Sequence, residues 1–165
     1  MKLAIVYYSQ SGNAGFVANE IAKRLDADLV RIEPEKAYPD KGFKKFFWGG
    51  KSAVMGETPA LVPYEFDAAK YDVILIGYPV WASTFAPPIR SFVEQNKMAL
   101  NTKKVIAFAS SSGGNADKSF QKLASLLKCS PLFPTLSIVD PLTKPSDDKT
   151  AQIEAFCAQI DEINL

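Results

Sequence analysis

Residues 3–25 read LAIVYYSQSGNAGFVANEIAKRL, and this stretch decides the fold. Residues 2–8 are apolar, with β-branched and aromatic side chains at the centre, which predicts a buried strand. Residues 9–14 form a polar turn that contains Gly12. Phe16, Val17, Ile21 and Leu25 then recur at helical spacing, with Glu20, Lys23 and Arg24 on the opposite side.

Working outward, the same alternation continues. Residues 28–33 (DLVRIE) predict a second strand, 71–78 (YDVILIGY) a third, 104–109 (KVIAFA) a fourth and 135–139 (TLSIV) a fifth. Helices are expected over 87–97, with proline near the first turn, over 117–127 and over 150–163. Residues 40–63 are the least regular part. They are too many for an empty loop in a compact domain, so a helix is expected around 43–54. The first, third and fourth strands are apolar on both faces, as a parallel sheet covered on both sides requires. The expectation is one three-layer α/β/α domain over residues 1–165.

Composition narrows the chemistry. The 165 residues are 47% apolar, enough for a sizeable core. Nineteen basic and eighteen acidic residues leave a net charge of +1, so no global field draws the protein to nucleic acid or an anionic membrane. No stretch approaches the roughly 18 apolar residues of a membrane span, and no signal sequence is visible, so a cytoplasmic protein is expected. Cys129 and Cys157 lie far apart and read as structural thiols, not a disulfide framework. The chain contains no histidine. That excludes Ser-His-Asp and Cys-His mechanisms and His-ligated metals, and points to a cofactor for any demanding reaction.

The loops after strands one, three and four carry the remaining information. They read SQSGNA (9–14), PVWASTFA (79–86) and SSSGGN (110–115), and none contains a charge. All three fall at the carboxyl edge of one parallel sheet, where open α/β sheets bind ligands. The first joins a strand to a helix N-terminus, whose free N–H groups and dipole can hold a phosphate without a cation. Ser9 and Ser11 add hydroxyls, and Gly12 permits close approach. Lacking Gly-Lys-Ser/Thr and G-x-G-x-x-G, the loop is neither that of a nucleotide triphosphatase nor a dinucleotide-binding one. Taken alone, it reads equally well as a capped strand-to-helix turn. Trp81 and Phe85 in the second loop suit a flat heteroaromatic ring, or simply packing on the domain itself. The third loop can offer backbone donors to ring carbonyls, or be a plain turn. Together the three fit a ligand with a phosphate, a linker and a planar polar ring.

On these residues the chain resembles the flavodoxin family. The resemblance rests on LAIVYYSQSGNAGFVANEIAKRL (3–25), YDVILIGYPVWASTFAPPIRSFVE (71–94) and VIAFASSSGGNA (105–116), in the family's order. It implies a five-stranded parallel sheet in the order 2-1-3-4-5 and non-covalently bound FMN. It implies that Ser9, Ser11, Gly12, Asn13 and Ala14 hold the phosphate. Trp81 matches the aromatic that flanks the flavin ring, with Pro79, Val80, Ala82 and Ser83 lining it and Ser111, Gly113 and Gly114 on its far side. Gln10, Phe85 and Ser110 complete the expected set.

Two features depart from the family pattern. Ala14 stands where the signature has a hydroxyl, which removes a hydrogen bond of roughly 1 kcal/mol. The near-neutral charge is unlike the strongly acidic balance of flavodoxins proper. Between strands two and three, Phe43, Phe46, Phe47 and Trp48 interleave with Lys41, Lys44, Lys45 and Lys51, a stretch of the form FxxxFxGGxxA. It reads as an amphipathic helix with buried aromatics. A ring over the flavin, a partner surface and a nucleic-acid patch are the other readings.

The expected function is electron transfer through FMN, with a redox partner protein. With no cation beside the flavin, a low potential for its last one-electron reduction is expected. A reductase of the quinone, azo or FMN type, taking hydride from NAD(P)H, is the alternative. A response-regulator receiver would need acidic residues where Tyr8-Ser9 and Tyr78-Pro79 stand. A cofactor-free binding module on the same fold is the last possibility.

Overall fold

In the computed structural model, residues 1–39 and 42–163 are described, residues 42–47 by backbone alone. The elements run β1 (Leu3–Tyr7), α1 (Asn13–Leu25), β2 (Asp28–Arg31), α2 (Gly42–Val54), β3 (Val73–Trp81), β4 (Thr84–Phe85), α3 (Pro87–Leu100), β5 (Lys104–Ser111), α4 (Asp117–Leu127), β6 (Thr135–Val139) and α5 (Asp147–Asp161). A short 3-10 helix, Ala68–Lys70, precedes β3.

Five strands pair in parallel in the order β2-β1-β3-β5-β6, the expected arrangement of the five main strands. The sixth, β4, was not expected. It pairs antiparallel with the end of β3, Trp81 opposite Thr84 and Val80 opposite Phe85.

Strand periodicity sorts the core into two layers. Ala4, Val6, Ile74, Ile76 and Ala107 point to one face and pack with Ile89, Phe92 and Val93 of α3 and Phe120 and Leu123 of α4. Leu3, Ile5, Val73, Leu75 and Ile106 point to the other and pack with Val17 and Ile21 of α1 and Ile153, Phe156 and Ile160 of α5. At 25 cal/mol per Å², each such fully buried aliphatic contributes about 2 kcal/mol of transfer free energy, so these two layers dominate stability. On the second face Phe108 lies across β3. A Cβ on its register partner Gly77 would stand 2.1 Å from Phe108 Cζ, so only glycine fits at 77.

Residues 36–39 and 42–59 belong to an excursion between β2 and β3. At its base Glu35 N–H donates to the Ala60 carbonyl at 2.9 Å and Val62 N–H to the Glu33 carbonyl at 2.9 Å. The excursion carries α2, so the expected helix is present. The expected burial of its aromatics does not hold at Trp48. Trp48 is 51% exposed, with Lys51 Nζ 5.6 Å above its ring. Lys41 and the side chains of Phe43, Lys44, Lys45, Phe46 and Phe47 lie outside the described residues.

Candidate functional site

The carboxyl edge of the sheet holds a cavity of about 120 Å³. All three charge-free loops reach it: Gln10, Ser11 and Asn13 from the first, Pro79, Val80, Trp81 and Ala82 from the second, Ser110, Ser111 and Ser112 from the third. Gly50 of α2 and Asp140 after β6 complete the wall.

The first loop is built to leave amides open. Gly12 caps α1 in a left-handed conformation (φ 89°) and, having no side chain, makes no cap hydrogen bond of its own to the first helical turn. A Cβ at Gly12 would also meet Leu142 Cδ2 at 2.9 Å. Ser9, expected at the ligand, is instead buried, and its Oγ accepts the Gly15 N–H at 3.0 Å. It stabilises the turn from below because β1 ends pointing it inward. Ala14 is likewise buried, in the second core layer, so its missing hydroxyl faces protein. Asn13 links two parts of the wall. Its Nδ2 donates to Ser11 Oγ at 3.3 Å, and its Oδ1 accepts the Leu142 N–H at 2.9 Å.

Gln10 reaches the other way, its Nε2 donating to the Pro39 carbonyl at 2.8 Å. Its Oε1 is buried with no hydrogen-bond partner among the described residues. An orphaned acceptor at the wall is costly unless a ligand supplies a donor.

The second loop is not a loop. Strand β3 continues to Trp81, and Ala82 (φ 48°) and Ser83 (φ 58°) make a two-residue hairpin turn with both residues left-handed. Neither is glycine, so each costs on the order of 1 kcal/mol, offset by the buried Thr84 and Phe85 that follow. The hairpin corrects one expectation. Phe85 points into the core, 2% exposed, 6.0 Å from the Tyr78 ring, and takes no part in the cavity. Ser83 is exposed on the turn, and a Cβ at Gly113 or Gly114 would meet nothing within 4 Å. None of these three lines the cavity.

Trp81 stands edge-on to Tyr38 (centroids 5.1 Å) and Tyr8 (5.9 Å). Burial pushes the Tyr8 phenol well above its ordinary range, reinforced by the Glu33 and Tyr38 charges and opposed by Arg31. Tyr8 therefore stays neutral beneath the indole.

Two charged pairs reach the site that the loop sequences did not show. Arg31 Nη2 donates to the Ser9 carbonyl at 3.5 Å and pairs with Glu33. Asp140, left-handed at φ 43°, donates its N–H to the Ser111 carbonyl at 2.9 Å, and its carboxylate pairs with Lys144 Nζ at 3.0 Å. Each cation arrives with a carboxylate, so the wall remains close to neutral. Asp140, Gly50 and Ser112 were missed. Asp140 lies 25 residues beyond the last loop read as a site, and only its position at a parallel strand's carboxyl end could have flagged it.

The donor set fits FMN: open first-turn amides suit a phosphate, the Gln10 acceptor suits a hydroxylated linker, and Trp81 suits a flat ring. Among the described residues there is no cluster of His, Cys, Asp or Glu able to hold a metal.

A flavodoxin family profile matches residues 2–135. The chain belongs to the flavodoxin family. Among solved structures, a Lactobacillus acidophilus flavoprotein in complex with FMN is 23% identical, with a TM-score of 0.73, covering 94% of this chain and 97% of its own. A flavodoxin from the domain Archaea is 17% identical (TM-score 0.60; 98% and 97% covered). Oxidised flavodoxin 1 from Bacillus cereus is 16% identical (TM-score 0.55; 99% and 100% covered). A search of curated proteins found no match. At these identities the structures establish this flavodoxin's fold. No helix among the described residues is long and apolar enough to cross a membrane.

Proposed function

We propose that this flavodoxin binds FMN non-covalently in the cavity and serves as an electron carrier between protein partners. One observation carries the reading: a single cavity joins the glycine-capped N-terminus of α1 to the Trp81 indole. The bound flavin supplies the one- and two-electron chemistry. The chain's own residues bind and orient it. Amides of residues 10–13 take the phosphate, Gln10 Oε1 accepts from the linker, and Trp81 flanks the ring. With Arg31 and Lys144 each held by a carboxylate, negative charge gained on reduction is not met by a free cation from either of these two, which favours a low potential.

The cytoplasm is the proposed location. Both cysteines are free, as suits a reducing compartment.

The test is a titration of apoprotein with FMN. Stoichiometric quenching of flavin fluorescence and a raised melting temperature are expected. An unmoved melting temperature at saturating FMN, unchanged again in Trp81→Ala, overturns the proposal. Mixing the loaded protein with NADPH then separates the two redox readings. No rapid bleaching supports the carrier, and rapid bleaching replaces it with a reductase.

A further inference from the structure

Of the FxxxFxGGxxA stretch of α2, Gly50 has been placed in the cavity wall. The structure gives the first glycine of the stretch a specific neighbour. A Cβ built on Gly49 falls 3.3 Å from Trp81 Cε3 and 3.4 Å from both Cδ2 and Cζ3. Three atoms of the six-membered ring at nearly equal distance place the position over the face of the indole. Gly49 is itself buried, so no side chain separates helix backbone from ring.

The indole is therefore held from several sides. The α2 backbone covers one face, Tyr38 and Tyr8 stand edge-on at 5.1 and 5.9 Å, and the hairpin at Ala82–Ser83 fixes where the side chain starts. Tyr38 belongs to the same excursion as α2, and its hydroxyl is 3.1 Å from Ser52 Oγ, one turn beyond Gly49. Glycine in a helix interior costs about 1 kcal/mol relative to alanine. Its presence in α2 thus needs a packing reason, and the Trp81 face provides one.

We propose that Gly49 is a positioning residue for the cofactor plate. By presenting bare backbone, it lets the indole lie back against α2 and sets the plane that the flavin meets. The inference rests on the FMN reading above, but its central contact exists without any ligand.

The experiment uses the full chain labelled with 5-fluorotryptophan, which carries two tryptophans, Trp48 and Trp81. Trp81→Phe assigns the two fluorine signals. In apoprotein, Gly49→Ala is expected to shift the Trp81 signal. On titration with FMN, Gly49→Ala should weaken binding about tenfold, as crowding of a packed contact does. The same substitution in a Trp81→Leu background should leave FMN affinity unchanged, since the smaller side chain leaves room. An unmoved Trp81 signal in Gly49→Ala overturns the inference, as does an equal loss of affinity in both backgrounds. Failure of the unsubstituted chain to bind FMN overturns the functional reading instead, and the apoprotein fluorine signal still decides the role of Gly49.

Discussion

Asn13 Oδ1 accepts the backbone N–H of Leu142 at 2.9 Å, across 129 residues of sequence. This contact ties the turn after β1 to the segment after β6, while the Asp140 N–H holds the same segment to the Ser111 carbonyl. The phosphate end and the ring end of the cavity are thus fastened to one strap. Asn13→Ala should weaken FMN binding about fivefold, the worth of one hydrogen bond of roughly 1 kcal/mol. Asn13→Asp keeps the acceptor but brings a negative charge to the phosphate, and should bind more weakly still. Equal affinities for the two variants in a fluorescence titration would contradict this assignment.

Trp81→Ala removes the ring from the cavity wall. FMN affinity is expected to drop about tenfold or more, because aromatic stacking contributes on the order of 1 kcal/mol beyond the area it buries. Trp81→Phe should recover most of that loss. Calorimetric titration of the three proteins with FMN measures it.

Asp140 puts a carboxylate in the wall, and Lys144 answers it. Asp140→Asn should tighten FMN binding two- to fivefold, about 0.5–1 kcal/mol for a partly screened pair. It should also raise the reduction potential, since one negative charge near the added electrons is gone. Lys144→Ala should do the opposite on both counts. Redox titrations in low and high salt check this, and the differences should shrink in high salt.

Tyr78 and Tyr8 predict the alkaline limit of stability. Burial raises both phenols well above 10, with Ser119 partly opposing the shift at Tyr78. In the unfolded chain both ionise near pH 10. Their contribution is complete below that pH and is lost as pH climbs from there toward the folded values. The expected slope is about 1.4 kcal/mol per pH unit for each tyrosine. Urea unfolding between about pH 9 and pH 12 should show the decline. Tyr78→Phe should make it shallower by one tyrosine's share; an unaltered slope would argue against the assignment.

What the sequence made legible follows from how local each cause is. The five strands and four flanking helices are written in apolar spacing, so β6 and α4 appear with the expected bounds. The helix in the irregular segment was legible from length alone. The hairpin was not, because its two left-handed positions are Ala82 and Ser83, without the glycine or asparagine that normally marks such a turn. Phe85 was misplaced for the same reason: a loop residue is free to face a ligand, whereas Phe85 is packed in the core. Ser9 and Ala14 were read at the ligand because the motif is linear. Folding puts them on the protein side of the same turn. Asp140 and Gly50 needed the tertiary structure, since nothing in their neighbourhoods announces a cavity.

Gly77 and Phe108 limit how this family member can drift. Any side chain at 77 collides with the ring across the ladder, so a substitution there can survive only after 108 has shrunk. A smaller residue at 108 arriving first leaves a void beneath the middle of the sheet. Either order passes through a less stable intermediate, so the two positions should change together or not at all, and a library that randomises only one of them should return the parent residue.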